Sequence, residues 1–168
     1  MTIIVAIAHG KHITMGADSS SYSPESIQSF QGSKLIQSNG WICGFTGDGW
    51  GTGQLASIAE FPKEASEQAL RRVFVPSMIR LMEEYGGSDQ STAQFLVGKK
   101  GNLYEIDTQD WGIIKLNEDA IGGAYMYSLG SLYSTKAYKN QERRVKKALD
   151  AAIFLSPVAT GPTHIITI

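Results

Sequence analysis

This chain of 168 residues has one cysteine, three histidines, five prolines and little charge. A lone thiol, Cys43, cannot close an internal disulfide, which fits a reducing compartment and a cytoplasmic protein. Charged residues make up only 18% of the chain and the net charge is −1, so the basic excess that grips nucleic-acid phosphates is missing. The longest apolar run is Ile3–Ala8, far short of the roughly 20 residues a membrane-spanning helix needs. No basic stretch leading into an apolar core opens the chain, so no signal peptide is read. His9, His12 and His164 have no Cys pair or tight carboxylate cluster beside them, which argues for turn and surface roles over a metal site. Nucleic acid, membrane and metal are therefore not expected as partners. The 42% of hydrophobic residues supports a large core in one domain spanning 1–168.

The apolar run Ile3–Ala8 reads as a strand covered on both faces. A tight turn at His9-Gly10-Lys11 leads into a return strand, His12–Ala17, ended by Asp18. Residues 19–33, rich in Ser, Gly and Gln, read as an irregular loop. The hairpin Lys34–Gln37, Asn39-Gly40, Trp41–Phe45 is the clearest local signal. Glycines in Thr46–Gly53 predict a loop feeding a helix over Thr52–Glu60. Leu70, Phe74, Met78, Leu81, Met82 and Tyr85 form one helical stripe, interrupted at Pro76 and stopped at Gly86-Gly87. A second hairpin spans Thr92–Val97 and Leu103–Asp107, with a further strand over Trp111–Leu116. Helices are expected over Ala124–Tyr138 and 141–155, and a last strand over His164–Ile168, paired with Ile3–Ala8. Strands and helices in this order predict a layered α+β sandwich.

Several chemistries can be weighed against this frame. Gly51–Ala56 matches the G-x-G-x-x-A dinucleotide pattern, but a second helix follows where a strand and an acidic residue should, so no cofactor is expected. Cys43, between Ile42 and Gly44, reads as a buried structural thiol. No serine sits in a G-x-S-x-G elbow. Arg143, Arg144, Lys146 and Lys147 read as the solvated face of an amphipathic helix. Thr2 is different. Once Met1 is removed, it carries a hydroxyl nucleophile and its own base, the α-amine, on one residue. The amine's ordinary pKa, about 7.7–8.0, already suits a general base. Such a site needs a nearby cation, a carboxylate to hold that cation, and an oxyanion donor. Lys34, Asp18 and the backbone N–H of Gly47 can fill those roles if their strands are neighbours.

Thr2-Ile-Ile-Val, Gly-Ala-Asp at 16–18, Gly-Ser-Lys at 32–34 and Cys-Gly-Phe-Thr-Gly at 43–47 together resemble the proteasome β-type family, and especially its small bacterial HslV-like peptidases. Ala-Ile-Gly-Gly at 120–123 and Ala-Leu-Asp-Ala-Ala at 148–152 extend the resemblance along most of the chain. The resemblance implies the four-layer αββα sandwich of the N-terminal nucleophile hydrolases. It implies peptide-bond cleavage through an acyl-enzyme on Thr2, tuned by Lys34 and Asp18. Ser21 and Tyr22 would pair with a peptide backbone, and Ile36, Phe45 and Thr46 would lie near the pocket for the side chain before the scissile bond. The partners implied are peptide or unfolded-protein substrates, identical copies in six- or seven-membered rings stacked in pairs, and a separate AAA+ ATPase unfoldase.

The sequence departs from the family at two places. Gly123 stands where the family usually has a serine, with Ser128 and Ser131 expected further along on the helix. Ser156 stands where an aspartate usually precedes a Ser/Thr-Gly. Those groups orient the terminal amine, so an alternative is a catalytically inactive, proteasome-like subunit kept for assembly. An amidase acting on a small non-peptide substrate is a third reading.

Overall fold

The computed structural model describes residues 2–23, 26–29, 33–47, 50–85 and 92–168. Eleven strands and five helices are found among them. Strands β1 (Ile3–His9) and β2 (His12–Ala17) form the first hairpin. Residues expected as an irregular loop instead hold a short pair, β3 (Ser20–Ser23) and β4 (Ser26–Ser29), in antiparallel register. Their serine-rich sequence hides the alternation that marks a half-buried strand. Strands β5 (Leu35–Ser38) and β6 (Trp41–Gly47) follow. Asn39 and Gly40 join them with φ of 55° and 74°, the pair of positive angles that an Asn-Gly hairpin turn requires.

The helix expected over Thr52–Glu60 is shorter and earlier: α1 covers Trp50–Leu55. The apolar stripe divides into α2 (Glu67–Arg72) and α3 (Phe74–Tyr85). The break falls at Val73, so Pro76 lies in the first turn of α3, where its missing N–H costs little. The Gly86-Gly87 stop lies outside the described residues. Strands β7 (Ala93–Lys99), β8 (Asn102–Asp107) and β9 (Ile113–Leu116) come next. Strand β10 (Glu118–Gly122) was not anticipated, because its acidic start disguises it. Helices α4 (Tyr125–Ser134) and α5 (Gln141–Leu155) precede the final strand, β11 (His164–Thr167).

Beside the β3-β4 pair, two larger antiparallel sheets result, one ordered β10-β1-β2-β11 and the other β5-β6-β7-β8-β9. The expected pairing of the last strand with β1 is corrected: β11 pairs with β2, because β10 already occupies the free edge of β1. Side-chain alternation along β1 shows the layering. Ile3, Val5 and Ile7 pack with Val145, Ala148 and Leu149 of α5, whereas Ile4 and Ala6 pack with Ile42, Leu96 and Leu103 of the second sheet. That sheet's other face, with Trp41, Cys43 and Phe95, packs against Leu70, Phe74 and Met78. The architecture is therefore a four-layer αββα sandwich. Both faces of β1 are sealed, which is why its sequence is continuously apolar.

Buried polar groups tie the layers together. Arg144 reaches from α5 to the Glu118 carboxylate at 2.7 Å and the Leu132 carbonyl at 2.9 Å. The Lys99 ammonium donates to the carbonyls of Asn39 (2.6 Å) and Lys63 (2.8 Å) beside the Trp41 ring.

Candidate active site

The site forms where β1 begins and β2 ends. Thr2 is partly exposed and leads directly into β1. Asp18 follows β2, and its Oδ1 accepts the Ile3 N–H at 3.0 Å and the Lys34 Nζ at 2.7 Å. Both side chains of that ion pair are fully buried. Burial pulls the Lys34 ammonium below the ordinary lysine value, and the adjacent Asp18 carboxylate opposes that fall. One carboxylate oxygen thus links the peptide that follows Thr2 to a buried cation. The Asp18 N–H in turn donates to the Ile3 carbonyl at 3.2 Å, so backbone and side chain hold the two strands in one register.

The opposite side of Thr2 is closed by β10. The Gly123 N–H donates to the Thr2 carbonyl at 3.1 Å. Gly122 has φ of 108°, and a Cβ there would strike that same carbonyl. Only glycine meets both conditions. Thr46 and Gly47, at the end of β6, join Gly122 and Gly123 around a cavity of about 270 Å³. The Thr46 hydroxyl faces Gly122.

The remaining expected residues divide by face. Ile36 and Phe45 stand on the helix-facing side of the second sheet and pack into the core beneath α1–α3. Thr46, the next residue along β6, stands on the opposite side, toward Thr2. Ser21 and Tyr22 lie on β3, with Gln28 and Ile27 as their register partners; their side chains lie outside the described residues. Ser128 donates to the Ala148 carbonyl at 2.9 Å and is fully buried, so its hydroxyl fastens α4 to α5. Ser156 caps α5 and accepts the Val158 N–H at 3.3 Å.

One residue escaped the sequence reading. Thr160 has a buried hydroxyl with no hydrogen-bond partner among the described residues, and its carbonyl accepts the Ser19 N–H at 3.2 Å. Ser19 is the residue after Asp18, so the Thr160 backbone is joined to the chain one residue from the ion pair. The Thr-Gly at 160–161 is its signal in the sequence, four residues after Ser156.

Other candidate chemistries fare as follows. Cys43 is buried, and burial pushes its thiol pKa upward, away from reactivity. Strands β6 and β7 run antiparallel, so Gly51–Ala56 is not part of the parallel βαβ unit a dinucleotide site needs. Among the described residues no group of three or more His, Cys, Asp or Glu side chains is arranged to hold a metal. No helix among them is long and apolar enough to cross a membrane.

No protein-family model matches the sequence, and no curated protein matches it. Solved structures do. The chain is similar to BPH from Thiobacillus denitrificans, solved in complex with epoxomicin, at a TM-score of 0.85 and 14% identity, over 99% of this chain and 97% of that one. It is similar to HslV from Trypanosoma brucei at a TM-score of 0.73 and 15% identity, over 98% of each chain. Anbu, an ancestral beta-subunit from Yersinia bercovieri, matches at 0.72 and 14% identity, over 99% of this chain and 81% of that one. At these identities the likeness defines the fold alone: the chain shares the four-layer αββα fold of these proteins.

Proposed function

We propose that this chain is a threonine peptidase subunit that cleaves peptide bonds with Thr2 after Met1 is removed. The observation that carries the reading is the buried Asp18–Lys34 pair, bonded through Asp18 to the first peptide N–H after Thr2. The Thr2 hydroxyl attacks the substrate carbonyl while the free α-amine takes its proton. The Lys34 charge, close to that end of β1, favours the neutral amine and a more acidic hydroxyl. The Gly47 N–H supplies an oxyanion donor beside the cavity. The tetrahedral intermediate then collapses: the C–N bond breaks, the protonated α-amine gives its proton to the departing amine, and the acyl group stays on the Thr2 oxygen. Water, losing a proton to the again-neutral α-amine, attacks that ester, and the proton returns to the Thr2 oxygen as the carboxylic acid leaves. The structural neighbours named HslV and Anbu favour a homo-oligomeric ring, six- or seven-fold and stacked in pairs. Substrates would be peptides or unfolded chains delivered by a separate AAA+ ATPase, and the setting cytoplasmic.

The rival reading is an inactive subunit retained for assembly. It is favoured by Gly123 and by Ser128, whose hydroxyl is engaged with Ala148. Intact mass spectrometry on protein from its own host separates the two. The peptidase reading expects loss of Met1, covalent labelling of Thr2 by an N-terminal-threonine-directed inhibitor, and no hydrolysis or labelling in Thr2→Ala. Epoxomicin, present in the BPH complex, is the first ligand to test. Retained Met1, or unchanged hydrolysis in Thr2→Ala, rejects the mechanism.

A further inference from the structure

The far end of β1 holds a second arrangement that the peptidase reading does not use. His9 and His12 are register partners across the two-residue turn of the first hairpin, so their side chains share a face. Their ring centroids lie 5.7 Å apart at an interplanar angle of 31°. His12 is exposed and His9 half-buried.

His9 is also held from behind. Its Nε2 is 3.0 Å from the Thr14 hydroxyl, which is 2.9 Å from the Thr167 hydroxyl, which is 3.2 Å from the Glu142 carboxylate. The direction of this chain follows from its last member. An ionised carboxylate only accepts, so Thr167 donates to Glu142. Having spent its one proton, Thr167 accepts from Thr14, and Thr14 therefore accepts from His9. The proton of His9 is thus on Nε2, and Nδ1 keeps its lone pair. Fixing one ring nitrogen as a donor toward oxygen while the other stays free is the usual backing of a metal-bound histidine.

We propose that His9 and His12 form a two-histidine site for a borderline divalent transition metal ion such as zinc, with Thr14, Thr167 and Glu142 orienting His9. Imidazole nitrogens suit zinc, nickel and copper. A metal about 2.0–2.1 Å from one nitrogen of each ring holds the two ring centroids about 5–6 Å apart, the spacing seen here. Two ligands leave further coordination positions for water or for a side chain of another molecule. Seven residues of strand separate this end from Thr2, roughly 20 Å at the usual rise, so the site is independent of the nucleophile.

The test is a Zn²⁺ titration of the full chain, followed by calorimetry and by imidazole nitrogen–proton spectra. One saturable site is expected, with shifts at His9 and His12 and none at His164, and with affinity falling on acidification as protons compete. His9→Ala and His12→Ala, both at an accessible turn, should each remove the site while the circular dichroism stays native. Thr167→Val keeps both imidazoles and should weaken binding by about 10- to 100-fold. The proposal is overturned by the absence of saturable binding, by binding that survives loss of either imidazole, by shifts centred on His164, or by unchanged affinity in Thr167→Val.

Discussion

Asp18 is held by its neighbours and sealed from water. One of its oxygens accepts from both Ile3 and Lys34, and both partners of the ion pair are sealed from solvent. Removing one member of such a pair leaves a buried charge uncompensated, which costs about 3–5 kcal/mol, more than the pair itself contributes. Lys34→Met should therefore lower the unfolding free energy by about that amount in urea titrations. The double variant Lys34→Met/Asp18→Asn should be more stable than the single one, because Asn carries no charge and still accepts the Ile3 N–H. A single variant as stable as wild type would mean the pair is solvated after all. That Asp18 and Lys34 meet beside Thr2 was legible in the sequence, because a carboxylate that ends one strand and a lysine that opens the next come together if those strands are neighbours. Thr160 was not, because a hydroxyl becomes notable only when burial leaves it without a partner.

At the scale of elements, legibility followed local chemistry. The Asn39-Gly40 turn and the stripe of α5 announce themselves within a few residues. Strand β10 does not: Glu118 and Asp119 look like loop, and only pairing with β1 makes them strand. The partner of β11 was likewise unreadable, since it depends on which edge β10 has taken. Helix α5 shows how local signals can be tested. Asn140 caps it by accepting the Arg143 N–H at 2.8 Å, and Glu142 adds an acidic first turn. Asn140→Ala should cost about 1 kcal/mol, or roughly 2–4 °C of melting temperature at this chain length, measured by scanning calorimetry. No change would mean that the tertiary contacts of Arg144 and Val145 fix this end without the cap.

At the scale of the whole molecule, acidic side chains of the two sheets face a common space. Glu105 of β8 and Asp119 of β10 line a common cavity of about 310 Å³. Burial, then the charges of Asp119 and Asp107, push the Glu105 pKa up. Burial also raises Asp119, against the pull of the Ala120 N–H and of Glu105. For acids with raised folded-state values, the folded chain binds more protons than the unfolded one between the ordinary and the raised pKa, so stability falls as pH rises through that window. Glu105→Gln should therefore raise the melting temperature at neutral pH by on the order of 2 °C. The gain should fade below about pH 4, where carboxyl groups are protonated in both states. A gain that persists in acid would point to packing rather than charge.

Strand β1, sealed on both faces, has a consequence for motion. Chain ends usually fray, opening at little free-energy cost. Here the residues beside Thr2, Ile3 to Ala6, are wholly inaccessible, so their amides should exchange with deuterium only when the entire molecule opens. Native-state exchange should give Ile4 to Ala6 the same protection free energy as global unfolding; a smaller value would reveal local fraying. If the values agree, the order of the candidate site and the integrity of the fold are a single cooperative unit, and heat will abolish both at one temperature.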